Sequence, residues 1–170
     1  STAGALHAVR RAKRDKVRVT CEVTPHHFSL TDDTVGEYDT NFKMNPPLRS
    51  SEDREAILQA LADGTVDAIA TDHAPHAAHE KVVEFERAMF GITGLETAVG
   101  LALTELTAKR KIPLARIVEL FTAGPAKVVD LKDRGTLTVG SHADVTIFDP
   151  KKRWTFAGAE SLSLSRNTPF

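Results

Sequence analysis

Val66-Asp67-Ala68-Ile69-Ala70-Thr71-Asp72-His73-Ala74-Pro75-His76 is an apolar, strand-length run that ends in a carboxylate and two imidazoles. Asp and His are the side chains that bind hard or borderline divalent metals and move protons near neutral pH. The end of a buried strand holds them rigidly in one small volume. A polar loop with an aspartate capping the next helix is the competing reading of the Asp-His pair alone. The second histidine, and the proline between the two, favour a site.

Outward from this run, helices and strands alternate. Ser50-Ser51-Glu52-Asp53 opens a helix with acidic residues in its first turn, which continues through Ile57, Leu58 and Leu61 and stops at Asp63-Gly64. Further upstream, Leu6, Val9 and Ala12 at helical spacing predict a helix over residues 2–16, with Ser1 or Thr2 as cap, and the β-rich run Val17–Val23 follows it. Downstream, a third helix is expected near Leu95–Lys109. A fourth has Pro113 at its first position and runs through Ile117, Val118 and Leu120. Such alternation predicts a parallel sheet with helical crossovers. From about Gly135 the character changes: residues 135–140, 143–150 and 153–156 read as short strands between glycine, aspartate and proline turns, a separate β element.

Two more polar stretches would lie at the carboxyl ends of strands, on the same face as Asp72 and His76. One is Thr24-Pro25-His26-His27-Phe28; the other is Lys43-Met44-Asn45-Pro46-Pro47-Leu48-Arg49. Adjacent histidines on an extended backbone point to opposite sides, so at most one of His26 and His27 is expected to face a pocket. Asn45 offers a donor and an acceptor suited to an amide or carboxylate; a plain turn asparagine is the alternative.

Composition limits the function classes. With 170 residues, 41% hydrophobic and 26% charged, the chain can bury one core with a small appendage. Lys plus Arg (22) nearly balances Asp plus Glu (23), so the net charge of −1 leaves no footprint for nucleic acid or an anionic membrane. No apolar run reaches the roughly 18 residues of a membrane span, and Ser1–Lys16 is a polar, basic helix-like stretch and not a signal peptide. The single cysteine, Cys21, excludes an internal disulfide and agrees with a cytoplasmic location.

Four blocks then form a recognisable set: Glu22-Val23-Thr24-Pro25-His26-His27, Lys43-Met44-Asn45-Pro46-Pro47-Leu48-Arg49, Ala70-Thr71-Asp72-His73-Ala74-Pro75-His76 and Phe90-Gly91-Ile92-Thr93-Gly94-Leu95-Glu96-Thr97. In order and spacing they closely resemble the second half of bacterial class I dihydroorotases, in the amidohydrolase superfamily. The resemblance implies an α/β fold, the C-terminal part of a metal-dependent-hydrolase TIM barrel over residues 1–132, followed by part of a small β-sandwich over 133–170. It also implies reversible cyclisation of N-carbamoyl-L-aspartate to L-dihydroorotate, in pyrimidine synthesis, by a zinc-bound hydroxide. Two zinc ions per intact subunit and a homo-oligomer are expected, with aspartate transcarbamoylase as a candidate partner.

By the same resemblance, Asp72 binds the more buried metal and shuttles a proton between nucleophile and leaving nitrogen. Asn45 and His76 hold the substrate, and Phe90-Gly91 offers it backbone groups. His73 is structural support for Asp72, and His26 and His27 support the site without ligating. The family's opening His-x-His-x-Arg block, its bridging carboxylated lysine or aspartate, and its two later histidine ligands do not occur in these residues. The expectation is therefore a fragment, inactive alone, of an active parent. The alternatives are a non-catalytic scaffold or another cyclic amidohydrolase, such as a hydantoinase or allantoinase.

Overall fold

A computed structural model describes residues 1–170, and at its centre two parallel strands, β1 (Glu22–Val23) and β2 (Ala68–Ile69), pair Glu22 with Ala68 and Val23 with Ile69. Both are shorter than the expected runs. Extended chain continues the pairing outside them, with Asp67 N–H donating to Cys21 O (2.9 Å) and Ala70 N–H to Val23 O (3.0 Å). The parallel order follows from the helices between the strands, since only a crossover can return a chain in the same direction.

Helix α1 (Ala3–Arg14) begins at Thr2, whose hydroxyl accepts the Ala5 N–H at 3.2 Å. The short helix α2 (Pro25–Ser29) starts directly after β1, and α3 (Ser51–Ala62) is capped by Ser50, which accepts the Asp53 N–H at 3.2 Å. Each cap satisfies a donor that the first turn leaves free. Lys13 of α1 reaches both carboxylate oxygens of Asp67 at 2.7 Å, and Asp67 Oδ2 also accepts the Cys21 N–H at 2.8 Å. One aspartate thus ties α1 to the start of both strands.

The core lies between this sheet and the helices: Phe28, Ile57, Leu61, Val66, Leu106 and Leu120 are fully buried. Each such side chain contributes about 1.5–3 kcal/mol by leaving water. Helix α6 (Leu114–Phe121) buries Ile117 and Leu120, and Arg116 donates to Leu61 O (3.1 Å) and Val66 O (2.6 Å), fastening the approach to β2. Helix α7 (Ala123–Val128) packs so close to β2 that a Cβ on Gly124 would lie 2.1 Å from Asp67 O.

The helix expected near Leu95–Lys109 is present as α5 (Ala98–Ala102), which widens into a π-helix over Leu103–Lys109; the four-residue α4 (Ala78–Lys81) precedes it. Two expectations are corrected. Pro113 is the cap of α6 and not its first residue; its φ suits the first turn but its ψ of 139° is extended. Residues 133–170 contain no strand, only a 3-10 turn at Gly158–Glu160, and the apolar residues of the expected strands, such as Leu137, Val139 and Ile147, are almost wholly exposed. Alternating apolar residues make a strand only when a neighbouring ladder accepts their N–H and C=O groups, and none lies beside this segment.

Candidate functional site

The exit of β1 is helical, which overturns the expectation that the two histidines point apart. On a helix successive side chains are about 100° apart, so both can turn to the interior. His26 and His27 are 2% and 5% exposed, with ring centroids 4.6 Å apart. His27 is fully used: Thr24 Oγ1 lies 2.7 Å from Nδ1, and the carbonyls of Pro46 and Pro47 lie 3.1 and 3.3 Å from Nε2. Those contacts require Nε2–H to donate to the carbonyls and Nδ1 to accept from threonine, so His27 anchors the Asn45 loop. His26 Nε2, by contrast, is buried with no hydrogen-bond partner. Burial, with His27 adding to it, pushes the His26 pKa down to about 3; burial also lowers that of His27.

The exit of β2 is open. Asp72 sits at φ 49°, in the left-handed region that aspartate tolerates better than most residues, and its side chain is 46% exposed. No protein donor binds its carboxylate, and His26 Nε2 stands 3.9 Å from Oδ2. His73 turns the other way. It pairs with Ile92 in an isolated parallel bridge, and its Nδ1 accepts the Gly94 N–H (3.0 Å) and the Leu95 N–H (3.3 Å).

His76 faces the loop that carries Phe90 and Gly91. Its Nε2 lies 2.8 Å from Phe90 O and its Nδ1 3.5 Å from Glu80 Oε2, so a substrate contact through this ring requires one of them to be released. Asn45 is exposed and precedes a cis bond to Pro46. Gly91 has φ 110°, and a Cβ there would lie 2.5 Å from Ala74 Cβ, so the two strand-end loops touch only because this residue is glycine. Both its backbone groups are occupied: the N–H by Lys43 O (2.9 Å) and the carbonyl by Lys81 Nζ (3.0 Å) and Asn167 Nδ2 (3.2 Å). Phe90 N–H has no protein acceptor, and it is the free backbone donor of this dipeptide.

Asn167 was not singled out from the sequence. Buried to 5% exposure, it accepts the His76 N–H (3.1 Å) and donates to Ala74 O (2.8 Å), joining the β2 exit to the Phe90 loop. No periodicity marks its segment, and a lone asparagine near the end of the chain carries no signal of its own. The buried lysines Lys43 and Lys81 were also missed, because a lysine in a polar loop reads as solvated.

The donor set suits a metal ion only in part. Asp72, half exposed and free of cations and donors, is a fit ligand, but no three His, Cys, Asp or Glu side chains gather at one point. No helix is long and apolar enough to cross a membrane.

Comparison with known proteins places these features in a family. The dihydroorotase of Solibacter usitatus is 55% identical over all 170 residues, which span 39% of its length. That of Geobacter sp. strain M21 is 54% identical, with 100% of this chain matched to 40% of its own. The chain thus spans about two fifths of the curated relatives it matches. Among solved structures, a D-hydantoinase (dihydropyrimidinase) from Thermus sp. superposes with a TM-score of 0.85 at 30% identity, covering 94% of this chain and 36% of that one. The α/β architecture is accordingly part of a metal-dependent-hydrolase TIM barrel. Residues 7–167 match the Amidohydrolase family, and the chain belongs to it.

Proposed function

We propose that this chain is part of a dihydroorotase, which interconverts N-carbamoyl-L-aspartate and L-dihydroorotate. The observation that carries this reading is identity above 50% with dihydroorotases along the whole chain. Asp72 and His76 follow β2 on one loop, and both that loop and the segment of Asn45 meet the Gly91 loop, through Ala74 and Lys43. The same reading includes zinc, two ions per subunit, a cytoplasmic location and a homo-oligomer with aspartate transcarbamoylase as candidate partner. It also treats residues 1–132 as barrel and 133–170 as the start of a second domain.

Asp72 would hold the metal as one ligand of a set completed by residues outside this chain. A divalent ion held there would supply a more acidic bound water and polarise a carbonyl. The Asp72 carboxylate, unencumbered by protein donors, takes a proton from the attacking water at Oδ and returns it to the departing ring nitrogen. One group can serve both steps because the nitrogen becomes basic as the C–N bond breaks. Asn45 supplies an amide to the substrate's α-carboxylate from a loop that His27 immobilises. Phe90 N–H donates to a ring carbonyl, and His76, released from Phe90 or Glu80, donates to the carboxylate.

A cyclic-amide hydrolase of hydantoinase type is the second reading, favoured by the Thermus superposition. The deciding experiment measures zinc content and turnover of dihydroorotate, hydantoin and allantoin by the full-length protein, beside Asp72→Ala. Two zinc equivalents, preference for dihydroorotate and loss of turnover in the variant are expected. Preference for hydantoin or allantoin would replace the substrate, and a folded, metal-free, inactive protein would indicate a scaffold. The 170 residues alone are expected to be inactive.

A further inference from the structure

Two ammonium groups lie under the loop of residues 84–91, and the chemistry above uses neither. Lys43 is 9% exposed and Lys81 4%. Lys43 Nζ donates to Glu86 O (2.9 Å) and Ala88 O (2.8 Å). Lys81 Nζ donates to Met89 O (2.9 Å) and Gly91 O (3.0 Å). Neither ammonium has a carboxylate partner; Lys43 instead lies 4.6 Å from the centre of the Phe90 ring and 5.5 Å from that of Phe85.

Three further hydrogen bonds complete the strap. Gly91 N–H donates to Lys43 O (2.9 Å), Met89 N–H to Glu80 O (3.1 Å), and Thr40 Oγ1–H to Lys81 O (2.6 Å). Burial, with Lys43 nearby, holds the Lys81 pKa below the usual lysine value. Burying two unpaired ammonium groups is costly, and apolar side chains would cover the loop at less expense. What the lysines add is direction: charge-assisted hydrogen bonds are about twice as strong as neutral ones, and here they pin the carbonyls of Glu86, Ala88, Met89 and Gly91, on either side of Phe90.

We propose that Lys43 and Lys81 are positioning residues that fix the Phe90–Gly91 backbone, setting the free Phe90 N–H and the Phe90 carbonyl beside His76, so that substrate affinity depends on them and the chemical step does not. This inference rests on the dihydroorotase reading for the identity of the substrate.

The test is steady-state kinetics of Lys43→Met and Lys81→Met in the full-length zinc-loaded protein, with zinc content measured in parallel. The expected result is a KM for dihydroorotate raised about 10-fold or more in each, with kcat within about 3-fold and zinc unchanged. A KM within 2-fold of wild type would overturn the proposal. So would a parallel collapse of kcat and zinc content, which marks a general structural role. If a methionine variant fails to fold, Lys43→Arg and Lys81→Arg decide. A guanidinium is planar and larger than an ammonium, so bonding the same two carbonyls is expected to shift the loop: KM rises with kcat retained, and an unchanged KM overturns the proposal. If the wild type turns over hydantoin and not dihydroorotate, the substrate reading has failed, and the same split is measured with hydantoin.

Discussion

β1 and β2 are neighbours in one parallel register, but the chains leaving them serve different ends. After β1 the backbone coils at once into α2, burying both imidazoles; one is bonded at each nitrogen and the other is left without a partner. After β2 it stays open, and Asp72 enters a left-handed turn with a carboxylate that no protein group binds. The buried exit supplies rigidity and the open one a reactive group. Adjacent strand ends of one barrel face can therefore carry similar residue types with opposite roles, and burial separates them.

The sharpest way to break this contrast is at the open exit. Asp72→Asn in the full-length protein is expected to lower kcat for dihydroorotate by about 10³-fold or more, since it removes the proton acceptor. With zinc removed from both proteins, its melting temperature should stay within about 2 °C of wild type, because the carboxylate makes no hydrogen bond to lose. A large loss of stability would show that Asp72 is structural.

At the buried exit the first effect is on stability against pH. His26 titrates near its ordinary value of 6.5 in the unfolded chain and at about 3 when folded. The unfolded state thus binds a proton that the folded state refuses. The contribution is complete above about pH 6.5 and is lost as pH falls toward 3, by up to about 1.4 kcal/mol per pH unit. His27, lowered by burial, acts in the same direction. Urea unfolding between pH 7 and pH 4 should show the slope, and His26→Asn should make it shallower; equal slopes would mean the imidazole is not buried uncharged.

His27→Phe should cost about 1–3 kcal/mol in the same urea assay, because Thr24 and the carbonyls of Pro46 and Pro47 lose a buried partner. The smallest effect belongs to Asn45→Ala. Its side chain is exposed, so stability should move by less than about 0.5 kcal/mol, while KM for dihydroorotate rises about 10-fold. An unchanged KM would return Asn45 to a plain turn residue.

Local physics accounts for what was legible in the chain. Thr2 and Ser50 cap helices through bonds that span three residues, and the step from an apolar run to Asp72 and His76 is visible within eleven positions. From these alone came the alternation of the longer helices with the two strands, the parallel sheet, and Asp72 as the group at a strand exit. The expected strands beyond Gly135 misled for the same reason: alternation is local, whereas a strand exists only with a partner to pair with.

Tertiary structure decided which of the polar residues are buried and what they touch. His26 and His27 both turned inward once Pro25 started a helix. Lys43 became a strap because carbonyls 43 and 45 positions away came to lie over it. Asn167 reaches His76 across 91 positions of sequence. Such contacts depend on distances in space between residues remote along the chain, and no periodicity or spacing in the sequence encodes them.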